Sequence, residues 1–324
     1  MSKQSKRQIP AANVGTTTIP WPSIVALFLV LVVNTGLCFS ITEFSSAPAV
    51  GDEPTGALRE TVIGYGGERI FGGHEIEHGE YPFLVSIDKR CAGSIIGPRH
   101  ILTSAECVNN YYSLEHNWFV IPLIQMEVFI GEHNREVRGD GEQNVTIVDL
   151  KIHPKYDRTK GKVNNIALLT TKKEIKYTTN SSTIAGGRGA IGPIELRCDP
   201  VPDESRLTVV SWGATSYVDG RPFASQVPMK LAVRHVPNDM CECYMKKERM
   251  SVPPPKTLCA APDTKNQGSI CDGDSGAPLI LKGPKGYELV GIASLYKKPC
   301  GLAQFPAVYT NISDYFTWII DNRS

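Results

Sequence analysis

The run Cys271-Asp272-Gly273-Asp274-Ser275-Gly276-Ala277-Pro278 sets a serine between two small, flexible glycine positions, directly after an aspartate and close to a cysteine. A serine so placed suits nucleophilic attack on an acyl carbon. Its hydroxyl is a poor nucleophile at neutral pH, so a histidine must take the proton and a buried aspartate must hold that histidine in the right tautomer. What Ser275 can do is therefore decided by residues far from it in the chain.

Several ordered motifs supply that comparison. They are Arg69-Ile70-Phe71-Gly72-Gly73, Cys91-Ala92-Gly93-Ser94-Ile95-Ile96, Leu102-Thr103-Ser104-Ala105-Glu106-Cys107, Asn164-Asn165-Ile166-Ala167-Leu168-Leu169 and the serine run itself. In order and spacing, the chain from about Arg69 to the C-terminus resembles the trypsin/chymotrypsin-like serine protease family. Against that family's pattern, the block that ends in histidine and cysteine has Glu106 in the histidine position, and the aspartate position holds Asn165. Of the triad positions Glu106, Asn165 and Ser275, only the serine is retained. A solvated carboxylate titrates near ~4.3, far below a serine hydroxyl, so Glu106 offers little driving force as a base near pH 7. In enzymes with this triad, the aspartate-to-asparagine change alone costs about four orders of magnitude. The resemblance thus implies a degenerate serine endopeptidase that is not an enzyme.

The rest of the implied machinery is mixed. Gly273 and Ser275 keep the backbone N–H groups that would form an oxyanion hole. The junction Arg69-Ile70 implies that cleavage frees the Ile70 amine to pair with Asp274, and a buried charge needs such a partner. That structural role gives a reason for the loop to persist without chemistry. The pocket positions are altered: Ser269 stands at the base, Ser294-Leu295-Tyr296 replaces serine-tryptophan-glycine on one wall, and Ala307 replaces a glycine on the other. Tyr296 and Ala307 are expected to fill space that a substrate side chain would use. Among the seven histidines, His100 and His153 are not placed to replace the base, and His116 and His133 read as exposed loop residues.

Eight of the nine cysteines follow Arg69, which points to an oxidising compartment. The resemblance implies bridges Cys91–Cys107 and Cys271–Cys300, pairs Cys259 with Cys241 or Cys243, and leaves Cys198 the remaining one. A metal site at Cys241-Glu242-Cys243 lacks the spacing of zinc ligands, so no metal and no cofactor are expected. Ile24–Val33 is an unbroken apolar run after Lys3, Lys6 and Arg7. It reads as a signal peptide within residues 1–40, or as a retained signal anchor with the domain outside. Residues 41–69 read as a pro-segment or linker, and 70–324 as the protease-homologue domain. Sequons at Asn144, Asn180 and Asn311 suit the extracellular side.

The elements that must position these residues are short β-rich runs, among them 83–87, 94–102, 126–130, 208–212, 289–294 and 307–310, separated by Gly, Pro and Asn turns. These runs are consistent with the fold that the resemblance implies, all-β, with two antiparallel six-stranded β-barrels and a short C-terminal helix. That helix would present Ile312, Phe316, Ile319 and Ile320 on one face behind a cap at Ser313, and 239–247 would form a shorter one. The aromatic loop 109–122 is either a contact surface or an extra strand. Lys+Arg 34 against Asp+Glu 33 gives a net charge of +1, which argues against broad binding to nucleic acid. The pairs Lys172-Lys173, Lys246-Lys247 and Lys297-Lys298 read as solvated surface.

The expected function is that of a secreted, inactive serine protease homologue acting by protein binding. Its partners would be extracellular proteins, including active serine proteases or their zymogens, in an immune, clotting, developmental or reproductive cascade. The alternatives are an active endopeptidase with a non-standard triad and an extracellular adhesive or structural module. A membrane contact is expected only if the N-terminal anchor is retained.

Overall fold

Burial alternates along the first part of Met229–Val236, as an antiparallel strand with one face on a core requires, whereas Cys91–Gly97 and Gly286–Leu295 are buried at successive positions. In Met229–Val236 the buried positions are Met229, Leu231, Val233, His235 and Val236; in Ile147–Ile152 they are Ile147, Leu150 and Ile152. The computed structural model describes residues 73–113, 118–139, 141–179, 189–218, 221–247, 255–263, 268–301 and 305–323. The N-terminal targeting segment, the linker, Arg69, Ile70, His116 and Asn180 lie outside them.

The first half of the domain contributes β1 (His74–Glu75), β2 (Leu84–Ile87), β3 (Cys91–Gly97), β4 (His100–Thr103), β5 (Tyr112–Ser113), β6 (Trp118–Phe119), β7 (Val128–Ile130), β8 (Gln143–Asn144), β9 (Ile147–Ile152) and β10 (Ala167–Thr171). A single helical turn, α1 (Ala105–Val108), follows β4. The second half adds β11 (Glu195–Leu196), β12 (Arg206–Ser211), β13 (Ala214–Val218), β14 (Arg221–Ala224), β15 (Met229–Val236), β16 (Thr257–Pro262), β17 (Pro278–Gly283), β18 (Gly286–Leu295) and β19 (Ala307–Asn311), with helices α2 (Asn238–Lys247) and α3 (Ile312–Asn322).

The second sheet runs β1-β15-β12-β17-β18-β19-β16, and pairing of β15 with β16 closes six of these strands into a barrel. The first sheet, β8-β7-β2-β3-β4-β10-β9, is a half-barrel that strand pairing does not close. Its outer strand β8 has two residues, and a 3-10 turn at Leu123–Gln125 packs against β9 instead. The chain is therefore mostly β with a short C-terminal helix, as the motifs imply.

Two local expectations are corrected, and a third is narrowed to one of its alternatives. The run 94–102 is not one strand: the chain reverses at Pro98-Arg99, so that Ser94 pairs with Leu102 in a β3–β4 hairpin. Helix α3 begins after Asn311, which makes no side-chain capping bond, and not after Ser313; it buries Ile312, Tyr315 and Ile319, whereas Ile320 is 43% exposed. Loop 109–122 contains the β5–β6 hairpin, and its buried Tyr111 donates its hydroxyl to Asp88 Oδ2 at 2.8 Å.

Candidate active site

The two sheets meet where β3, β4 and β10 face the 271–278 loop. Ala92 N–H donates to the Ser275 carbonyl at 2.9 Å, and Thr310 Oγ1 donates to the Asn165 carbonyl at 3.0 Å. The turn α1 buries Ala105, Cys107 and Val108 and leaves Glu106 half-buried at this seam. Disulfide Cys91–Cys107 ties the turn to β3.

Asn165, only 1% exposed, stands two residues before β10. Its Oδ1 accepts from Glu106 N–H at 3.0 Å, and its Nδ2 donates to Glu106 Oε1 at 3.2 Å and to Ser294 Oγ at 2.8 Å. The other carboxylate oxygen of Glu106 pairs with Lys162, whose ammonium also donates to the Ser294 carbonyl at 2.9 Å. Both oxygens of Glu106 are thus engaged away from the serine. Among the described residues, no side chain hydrogen-bonds to the Ser275 hydroxyl.

Gly276, at φ +81°, brings its backbone against the Ala92 carbonyl and Thr103 Oγ1 so closely that a Cβ would collide with both. Neither Gly273 N–H nor Ser275 N–H donates to an acceptor among the described residues. Asp274 is fully buried and accepts from Gly213 N–H at 2.8 Å and Cys271 N–H at 2.7 Å. Burial raises its pKa to about 6, against the lowering effect of those N–H groups and of Arg135. Arg135, 8% exposed, lies over the Trp212 ring at 4.8 Å, and its own burial lowers its pKa to about 10.

The cavity lined by Ser269, Tyr296, Lys297, Phe305 and Ala307 measures about 10 Å³, at the lower limit for a single water. Tyr296 donates its hydroxyl to Asp272 Oδ1 at 2.8 Å, and Lys298 Nζ donates to the same oxygen at 2.6 Å. Burial pushes the Asp272 pKa up, but Lys298 and Tyr296 outweigh it and the net shift is downward. Burial and then Asp272 push the Tyr296 phenol up. Ser269 Oγ is occupied by a donation to the Ile270 carbonyl and by acceptance from Gly301 N–H, both at 2.9 Å. Leu295 turns to a separate apolar cluster with Val236, Cys241 and Cys259.

A family model described as Trypsin matches residues 70–319. The chain belongs to the trypsin family. Among curated relatives it is 26% identical to Melanization protease 1 of Drosophila melanogaster over 79% of this chain and 66% of that protein. It is 28% identical to CLIP domain-containing serine protease B4 of Anopheles gambiae (79% and 70%), and 26% identical to Phenoloxidase-activating factor 3 of Holotrichia diomphalia (78% and 72%). The chain thus spans about two thirds of the length of the first of these relatives.

Within this trypsin-family domain, His153, His100 and His133 each have partners other than Ser275. His153 packs its ring 5.5 Å from Tyr315 and 5.3 Å from Trp318, and His100 opens β4 beside Arg323. His133 was expected at the surface; it is half-buried, its ring 5.1 Å from that of His78, and its carbonyl accepts from Trp212 Nε1.

Bridges Cys91–Cys107 and Cys271–Cys300 are formed, Cys259 pairs with Cys241, and Cys243 is also disulfide-bonded. The expectation for Cys198 is overturned: it is exposed and free, because it sits two residues beyond β11 on a surface turn, while α2 carries Cys241 against β16. Asn144 is exposed on β8, whereas Asn311 Nδ2 is hydrogen-bonded to Asp314 Oδ2 at 2.8 Å. Among the described residues no helix is long and apolar enough to cross a membrane.

Sequence reasoning missed Lys162, and read Lys298 as a solvated lysine. Nothing in Gly161-Lys162-Val163 marks a contact with a residue 132 positions away. For Lys298, the adjacent Tyr296 and the aspartate inside the serine run were the available signal.

Proposed function

We propose that the chain is a secreted, catalytically inactive trypsin-family protein that works by binding other proteins, as a cofactor or regulator in an extracellular protease cascade. The observation that carries this reading is the state of the serine. The Ser275 hydroxyl has no base partner among the described residues, while the carboxylate standing in the histidine position is held by Lys162 and Asn165. Without a proton acceptor the hydroxyl is a weak nucleophile, and binding geometry alone supplies little turnover. The filled cavity at Ser269, Tyr296 and Ala307 supports the same reading. Relatives named for melanization and phenoloxidase activation support the cascade context, with active serine proteases or their zymogens as partners.

A second reading is an endopeptidase with a non-standard triad, favoured by the unoccupied N–H groups of Gly273 and Ser275. The deciding experiment treats the purified protein with a fluorophosphonate probe, before and after cleavage at Arg69, beside the variant Glu106→His with Asn165→Asp. The expected result is no label on the natural protein and label at Ser275 in the variant. Label at Ser275 of the natural protein would overturn the reading.

A further inference from the structure

Ser294 is the extra residue of a β-bulge. Strands β18 and β19 pair at Ala293↔Tyr309 and again at Leu295↔Val308, which leaves Ser294 without a strand partner. Its neighbour Ala293 spends its N–H on Ala277 and its carbonyl on Gly276. The Ser294 carbonyl is instead bound by the Lys162 ammonium. A bulge that frees a main-chain carbonyl at the end of a strand creates a docking point for another extended chain, whose N–H groups would bind there.

Lys162 reaches this point from an unfavourable backbone. Gly161, Lys162 and Asn164 have φ of +68°, +58° and +55°, the left-handed region that a lysine adopts at a cost. The ammonium contacts both halves of the domain at once, Glu106 on α1 and Ser294 on β18, and the two paired side chains are 23% and 18% exposed. An ordinary surface lysine meets neither condition. Two residues along from Ser294, Tyr296 lines the small cavity with Ser269 and Ala307 and is fixed through Asp272 to Lys298.

We propose that Lys162 is a tethered plug, a specificity-determining residue that holds the Ser294 carbonyl against extended peptides. This deepens the non-catalytic reading, on which it rests only in treating the excluded peptide as a ligand and not a substrate. The plug denies a peptide its main-chain contact, and Tyr296 denies it a side-chain pocket.

The test measures binding of a fluorescein-labelled, disulfide-cyclised peptide of the trypsin-inhibitor-loop type, with alanine at its reactive position, by anisotropy. The proteins are the natural full chain, Tyr296→Gly, and Tyr296→Gly combined with Lys162→Ala or with Lys162→Met, which keeps the apolar stem. Freeing one main-chain carbonyl and removing a charged competitor should tighten binding about tenfold over Tyr296→Gly alone, in both Lys162 variants. Equal affinity with and without Lys162, or natural protein binding as tightly as the combined variants, overturns the plug. Failure of both Lys162 variants to fold would make the residue a structural strut and also overturn it. Fluorophosphonate labelling of the natural protein would sink the non-catalytic reading while leaving this comparison intact.

Discussion

Glu106 and Asn165 hold each other by two hydrogen bonds running in opposite directions, Glu106 N–H to Asn165 Oδ1 at 3.0 Å and Asn165 Nδ2 to Glu106 Oε1 at 3.2 Å. The second bond requires a donor, and an aspartate has none. The identities of the two residues are therefore coupled. Once a carboxylate stands at position 106, an aspartate at 165 would place a second carboxylate against it in a buried site.

Asn165→Asp alone should accordingly destabilise the protein by about 2–4 kcal/mol, through lost donations to Glu106 and Ser294 and a new like-charge contact. Adding Glu106→His should recover at least half of that loss, because an imidazole can donate to the new carboxylate. Urea denaturation of the two single variants and the double variant gives the coupling energy directly. A neutral Asn165→Asp would show that the network has no such dependence.

The positions of Glu106 and Asn165 were legible in the sequence because each sits in a contiguous motif, and the two side chains meet, with Ser294, in one hydrogen-bonded cluster. Their partners were not. Lys162 acts through a bulge at Ser294 that no local pattern announces, and Arg135 comes from a loop whose polar composition reads as surface while its guanidinium lies over Trp212. Many strands were legible as short β-rich runs between turn residues, yet the hairpin at Pro98-Arg99 was absorbed into one long strand because apolar residues flank the turn on both sides. Cys198 failed for a different reason: elimination assumes that every cysteine pairs within the domain.

Asp274 gives a pH dependence with a definite sign. Its pKa rises from an ordinary 3.8 to about 6 on folding, so between those values the native state binds more protons than the unfolded chain. The stabilising contribution is fully present below about 3.8 and is lost as pH rises through about 6, a swing of roughly 3 kcal/mol. For the chain not cut at Arg69, Asp274→Asn should flatten this part of the profile. Denaturant midpoints at about pH 4.5 and about pH 7.5 for both proteins test it; parallel profiles would remove Asp274 as the cause.

Tyr296→Phe separates filling from anchoring. The phenyl ring still occupies the cavity beside Ser269 and Ala307, but the hydroxyl contact to Asp272 is gone. The expected cost is about 1 kcal/mol, the usual net worth of one such bond. Asp272 should also titrate higher in this variant, because Tyr296 is one of the groups holding its pKa down. Side-chain carboxyl titration by NMR reads that shift, and an unchanged Asp272 would assign the effect to Lys298 and Tyr217.

The cysteines divide by what their bridges close. Cys271–Cys300 spans 29 residues, including the cavity wall from Ser294 to Lys298, and joins it to the serine loop. Closing a loop of that length restricts the unfolded chain by about 3–4 kcal/mol, so Cys271→Ser with Cys300→Ser should cost that much and loosen the Tyr296 contacts as well. Cys198 closes nothing and is exposed, so Cys198→Ser should leave stability within ~0.5 kcal/mol. Brief treatment of the native protein with iodoacetamide, followed by peptide mass mapping, should modify Cys198 and spare Cys91, Cys107, Cys241, Cys259, Cys271 and Cys300. Protection of Cys198 would mean that its thiol is already bonded in the protein as isolated, and the exposed turn after β11 would then be a covalent junction instead of a free surface.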